Sequence, residues 1–244
     1  MEIEAIIFDN DGVLIDTEGT AVIHDLPFLK QYGISYTVPE YAELMSGKSL
    51  KEFLQILNGD CLKQTGSQLP LDFLDKLREL HAWQVDNIVT EVPGATALVL
   101  EEKALGTKIA IASNGEKASL KHKMERINLY NIFMPHVYNK DDVGGHGKPE
   151  PDMLFHAATQ LGVDPAKCVY VGDSKLDMEA GAAGGIYTIG YSGGAHRNAQ
   201  YGQFLEAHGA SIVFNAMADI GKHIKWLRSQ PSPTITPTNV APAP

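Results

Sequence analysis

The sequence predicts an α/β protein: a Rossmann-like, doubly wound parallel sheet with a small all-helical cap inserted after the first strand. Three observations lead there. The apolar run Ala5-Ile6-Ile7-Phe8 stops at Asp9-Asn10-Asp11-Gly12, which reads as a buried strand running into a turn. The stretch 18–87 carries helical periodicity and no convincing strand. From Glu91 onward short apolar runs alternate with helical patterns, as in a parallel sheet covered on both faces.

Taken in order, strand 5–8 comes first. Leu26, Phe28, Leu29 and Tyr32, then Leu50, Phe53, Leu54 and Leu57, then Leu71, Phe73, Leu74, Leu77 and Leu80 recur near helical spacing and predict the helices of the insert. Beyond it the pattern predicts helix 95–105, strand 108–112, helix 117–127, a short strand at 137–138 and helix 151–161. Strand 168–171, helix 176–183, strand 186–189, a weaker strand 211–214 and helix 216–228 follow. The expected division is a core of residues 1–17 and 88–228, a cap of 18–87, and a Pro/Thr-rich tail of 229–244 that holds five of the thirteen prolines and cannot build a core.

Composition excludes several function classes. With 244 residues, 44% of them hydrophobic, the chain can bury a sizeable core. A formal net charge of -10 without a basic run argues against a nucleic-acid surface. The start Met1-Glu2-Ile3-Glu4 lacks the basic region of a signal peptide, and no apolar stretch approaches membrane-spanning length. Cys61 and Cys168 have no metal-binding spacing and read as reduced structural thiols, so a cytoplasmic location is expected.

Four strand ends are followed by polar groups: Asp9 and Asp11, then Ser113-Asn114-Gly115, then Lys148 in the loop Gly144 to Pro149, then Asp173 with Asp177. C-terminal strand ends lie along one edge of a parallel sheet, so these groups can converge on one crevice. Singly they read as well as a helix N-cap, a solvated lysine and a capped turn. Together and in this order they point to one site, where a divalent cation and a phosphorylated substrate would neutralise the acids.

In FDNDGVLIDTE, IASNG, GKPEPD and VGDSKLD the chain resembles the haloacid dehalogenase superfamily, whose phosphatase branch carries an Asp-x-Asp, a Ser or Thr, a Lys and a paired-acid motif in this order. The insert position resembles the β-phosphoglucomutase-like group. The stretches SNGEKASLKHKMERINLYNIF and KPEPDMLFHAATQLGV look closest to bacterial sugar-phosphate phosphatases of the 6-phosphogluconate phosphatase kind.

The resemblance implies Asp9 as nucleophile, forming an aspartyl-phosphate, and Asp11 as the acid that protonates the leaving alkoxide and then activates water. It implies Mg²⁺ on the Asp9 carboxylate, the Asp11 backbone carbonyl and Asp173, with Asp177 supporting the site from behind. Lys148, the Ser113 hydroxyl and the Asn114 backbone N–H would bind the phosphoryl oxygens. Acid work by Asp11 calls for a raised pKa, which a neighbouring carboxylate and partial burial would favour.

Glu18 and Lys48 are the candidate cap contacts to substrate, with solvated side chains as the competing reading. The expected partner is a small phosphorylated substrate, with no nucleic acid, no membrane, and a monomer by analogy. A phosphosugar mutase is the alternative enzyme. It is disfavoured because Ala21 stands where that group's histidine falls and Leu50 where its cap arginine would lie. A phospho-acceptor signalling module is the non-enzyme alternative, disfavoured because receivers carry the acceptor Asp after an internal strand and have no helical insert of this size.

Overall fold

Six parallel strands make one sheet in the order β3-β2-β1-β4-β5-β6. They are β1 (Ala5–Phe8), β2 (Lys108–Ser113), β3 (Val137–Asn139), β4 (Cys168–Gly172), β5 (Tyr187–Tyr191) and β6 (Ile212–Phe214). The computed structural model describes residues 2–45, 50–194, 197 and 199–230, with only the backbone at Glu18, Glu43, Met45 and Leu50. β1 lies between β2 and β4, with Ile7 opposite both Ala110 and Tyr170. It is therefore buried on both faces and at both edges, which is why its sequence is apolar at every position.

The helices are α1 (Thr17–Lys30), α2 (Val38–Met45), α3 (Leu50–Thr65), α4 (Phe73–Asn87), α5 (Ala95–Ala104), α6 (Lys117–Arg126), α7 (Tyr130–Phe133), α8 (Asp152–Leu161), α9 (Lys175–Ala183), α10 (Tyr201–Ala207) and α11 (Met217–Ser229). Strand alternation divides the core in two. Ile6, Phe8, Ile111 and Val171 pack on one face with Val99, Met124, Phe133 and Ile224 from helices α5, α6, α7 and α11. Ala5, Ile7, Ala110 and Tyr170 pack on the other with Leu154, Ala157, Ala158 and Ala180 from α8 and α9. Among the described residues no helix is long and apolar enough to cross a membrane.

The insert after β1 is helical, as expected. Val22, Leu29, Ile34, Tyr41, Leu57, Phe73 and Leu77 form its own apolar centre. Its two connections to the sheet run side by side: the Val92 N–H donates to the Leu14 carbonyl at 3.0 Å, and the Asp16 N–H donates to the Thr90 carbonyl at 3.0 Å. The cap thus enters and leaves beside the C-terminal end of β1.

Two strand starts shift. Strands β5 and β6 each begin one residue later than the apolar runs suggested. α7 and α10 had no sequence reading, because four and seven residues are too few to display a helical period, and α10 buries only Leu205. Glu18 has no described side chain, and Lys48 and most of the 229–244 tail lie outside the described residues.

One polar lock sits inside the cap. The fully buried Asp25 accepts from Tyr41 Oη at 2.8 Å and from Gln84 Nε2 at 2.9 Å, and its Oδ2 lies 2.8 Å from His81 Nε2. It joins α1, α2 and α4. Asp25→Ala strands two buried donors, so urea unfolding should show a loss of about 3 kcal/mol, whereas Leu105→Ala, at an exposed position, should change stability by less than about 0.5 kcal/mol.

Candidate active site

Each acid at the sheet edge is placed by the local rule that ends its strand. β1 stops at Asp9, and the turn is completed by Gly12 at φ +79°. A Cβ at Gly12 would run into the Asp173 carboxylate, so glycine both allows the turn and leaves room for the acid opposite. β4 stops at Gly172, where a Cβ would collide with Asp177. Ser174 then caps α9 in a reciprocal capping box with Asp177. Asp177 is thus a helix cap and a site carboxylate at once.

The centre of the site is Lys148. Its Nζ lies 2.8 Å from Asp9 Oδ1 and 2.6 Å from Asp177 Oδ1, with all three side chains buried. It also donates to Tyr170 Oη at 3.2 Å, and Tyr170 in turn donates to Asp177 Oδ1 at 2.5 Å. The other Asp177 oxygen accepts from the Asp173 N–H at 3.2 Å, the Ser174 N–H at 2.9 Å and Ser174 Oγ at 2.6 Å. Both oxygens of Asp177 are therefore fully engaged.

Lys148 is held through its backbone. Asn114 Nδ2 donates to the Lys148 carbonyl at 3.0 Å, and the Lys148 N–H donates to Asn114 Oδ1 at 2.9 Å. The Asn114 side chain is a clasp between two loops. Ser113 is buried at the end of β2, its Oγ accepting from the Gly115 N–H at 3.1 Å.

Two cations and two phenols of the site carry no signal in the sequence. Arg197 Nη2 lies 3.0 Å from Asp173 Oδ2 and its guanidinium stacks 4.0 Å from the Tyr201 ring, while Tyr201 Oη donates to the Asp173 carbonyl at 2.9 Å. Lys123 Nζ lies 2.6 Å from Asp11 Oδ1, which also accepts from Thr17 Oγ1 at 2.9 Å. Arg197 belongs to no recognisable motif, Lys123 lies mid-helix in a stretch away from any strand end, and Tyr170 sits in a strand that reads simply as core. The acids expected to await a metal and a phosphate are thus already partnered from within the chain.

Electrostatics follow from these contacts. Burial and Asp177 push the Asp9 carboxyl up, against the pull of Lys148. Burial also acts to raise Asp177, but Lys148, Ser174 and Tyr170 outweigh it and hold that carboxyl below the usual range. Burial disfavours the Lys148 ammonium, yet Asp177 and Asp9 keep it above its ordinary value. The expectation of a raised Asp11 is reversed: burial does act upward, but Lys123, with Thr17 and Asn10, holds the carboxyl below the ordinary range.

The arrangement suits a hard divalent cation. Asp9, Asp173 and Asp177 each bring a carboxylate oxygen within 4.8 Å of the others, and the missing Cβ of Gly12 is what lets the Asp173 carboxylate come up against the turn after β1. A set of oxygen donors only, with cations close behind it, is compatible with Mg²⁺ and with a phosphoryl group alongside.

A family of haloacid dehalogenase-like hydrolases matches residues 6–191. The chain belongs to that family. It is an enzyme of the phosphatase type. It is similar to the 6-phosphogluconate phosphatase of Escherichia coli, 26% identical over 197 residues that cover 80% of this chain and 85% of that one. It is also similar to a phosphorylated carbohydrates phosphatase of Thermotoga maritima, 30% identical over 186 residues covering 76% and 83%. A crystal structure of a family hydrolase from Deinococcus radiodurans with bound phosphate and sodium superposes with a TM-score of 0.80 at 31% identity, covering 92% of this chain and 96% of that one.

Removing the central cation tests the electrostatic reading. Lys148→Met leaves Asp9 and Asp177 as buried, unneutralised neighbours, so chemical unfolding in EDTA should show a loss of about 3 kcal/mol or more. Lys117→Met, which breaks only an exposed pair with Asp142, should cost less than about 1 kcal/mol.

Proposed function

We propose that the chain is a Mg²⁺-dependent phosphatase of a small phosphorylated metabolite, a sugar phosphate or phosphorylated sugar acid, that works through an aspartyl-phosphate on Asp9. The observation that carries this reading is the buried contact of Lys148 Nζ with both Asp9 and Asp177. A carboxylate beside a fixed ammonium at the mouth of a parallel strand can meet an anionic phosphoryl group without prohibitive repulsion.

Each residue then has a task. Asp9 Oδ attacks phosphorus in line with the departing ester oxygen. Asp11 takes a proton from the water that cleaves the acyl phosphate; delivering one to the departing ester oxygen requires its carboxylate first to leave Lys123, which holds it ionised. Lys148, the Ser113 hydroxyl and the Asn114 backbone N–H bind the equatorial oxygens. The Asp9 carboxylate, the Asp11 carbonyl and Asp173 would hold Mg²⁺, which when bound supplies charge neutralisation between nucleophile and phosphate. Asp177, with both oxygens already saturated by donors, fits the part of orienting Lys148 and the α9 terminus better than direct ligation.

Substrate class rests on the relatives. The E. coli and T. maritima proteins act, by their names, on 6-phosphogluconate and on phosphorylated carbohydrates, which favours a sugar-derived ester here too. A mutase needs a group that reads a second phosphate. Ala21, at the position of the mutase histidine, is buried in α1 and offers no such group.

A panel of phosphorylated metabolites assayed with Mg²⁺ and with EDTA tests the proposal. Wild type should release phosphate from at least one sugar ester, lose that activity in EDTA and regain it with Mg²⁺. Asp9→Asn should lower the rate by at least about a thousandfold while the circular dichroism spectrum stays that of the folded protein. Full activity in Asp9→Asn would remove the mechanism, and a bisphosphorylated intermediate during turnover would shift the reading to a mutase.

A further inference from the structure

Arg197 reaches the site from the connection between β5 and α10, and β5 stands two strands away from β1. Its Nη2 lies 3.0 Å from Asp173 Oδ2, with the two side chains only 4% and 6% exposed. Of the two Asp173 oxygens, Oδ2 is the one closest to Gly12, the residue whose amide is joined to the Asp11 carbonyl. The guanidinium therefore rests on the Asp173 oxygen that faces the proposed metal ligands of the β1 turn. A buried, charge-assisted pair of this kind is given up only in exchange for another strong partner.

Counted as formal charges, the carboxylates of Asp9, Asp11, Asp173 and Asp177 face the three cations Lys148, Lys123 and Arg197. One net negative charge is a poor match for a divalent ion, and a cation that steps aside improves it. Lys148 is shared by two acids and clasped through its backbone. Lys123 pairs with the Asp11 carboxylate, which is not among the proposed ligands. Arg197 sits on a proposed ligand and has room to move. A cavity of about 320 Å³ lies beside it, lined also by Ser192, Gly193, Ala199, Gly202 and Asn215, and it reaches the surface at the exposed Asn215. Tyr201, the first residue of α10, links the two partners: its ring lies 4.0 Å from the guanidinium and its hydroxyl donates to the Asp173 carbonyl at 2.9 Å.

We propose that Arg197 competes with the divalent cation for Asp173 Oδ2, so that metal loading drives the guanidinium off the carboxylate and toward the neighbouring cavity. The inference rests on the proposed metal site and adds to it a competitor from outside the four motifs. Its consequences are reciprocal. The pair lowers the apparent metal affinity to the extent that Asp173 is engaged by Arg197, and the metal weakens the pair by the same factor.

Titration calorimetry of the EDTA-stripped full chain with Mg²⁺ alone tests the competition without any turnover. Arg197→Gln should bind Mg²⁺ about tenfold more tightly than wild type. Lys123→Met removes one positive charge from the same cluster but keeps the Arg197 pair, so it should tighten binding by less than about threefold. Hydrogen exchange on wild type gives an independent reading: the peptide containing Arg197 and Tyr201 should exchange faster once Mg²⁺ is added, the reverse of the protection that a bound ion ordinarily confers. Unchanged or weaker Mg²⁺ binding in Arg197→Gln, or equal tightening in both variants as net charge alone would give, overturns the inference and leaves the phosphatase reading intact. Slower or unchanged exchange at that peptide overturns it too, and decides the matter if Arg197→Gln fails to fold. A wild-type protein that binds no Mg²⁺ would instead overturn the metal-dependent reading, and this inference with it.

Discussion

Four carboxylates converge at one edge of a parallel sheet, and the fold is arranged around keeping them there. Lys148 carries the main part of that constraint, because Asp9 and Asp177 are both buried and both within 2.8 Å of its Nζ. Unpaired, either acid would be expelled to solvent or neutralised by a proton. Paired, they stay ionisable and fixed. The clasp between Asn114 and the Lys148 backbone and the hydroxyl of Tyr170 make sense as supports for this one ammonium, since a flexible lysine would not serve two acids at once.

The same economy of parts runs through the neighbouring acids. Asp173 is held by Arg197 and its carbonyl by Tyr201, Asp11 by Lys123 and Thr17, and Asp177 doubles as the cap of α9. Helix starts, strand ends and charge pairs are the same atoms. The cap is tied into this arrangement, for its entrance at Thr17 shares the Asp11 carboxylate with Lys123 of α6, and its exit at Val85 and Asp86 meets Arg126 and His122 of the same helix.

Much of this was legible in the sequence. Strand β1 and its terminal acids are a local signal, an unbroken apolar run meeting charge, and the alternation after Glu91 determines a parallel sheet whose strand ends share an edge. The four motifs could therefore be placed in one crevice before any coordinates. What local patterns do not record is which side chains meet across long separations. Asp11 and Lys123 are 112 positions apart, so the sequence suggested a raised Asp11 pKa where an unforeseen ammonium lowers it. Tyr170 was hidden because a buried strand position looks the same whether its hydroxyl is used or not. Arg197 follows β5 in a loop with no periodicity to mark it.

The central claim, that Asp9 is the atom that takes the phosphoryl group, is tested most directly by acid-quenching a single turnover of isotopically labelled substrate and mapping the label. The account predicts a hydroxylamine-labile phosphate on the peptide containing Asp9, formed and lost at rates consistent with turnover and missing in Asp9→Asn. Phosphate release at the normal rate with no label on that peptide at any time point would contradict it.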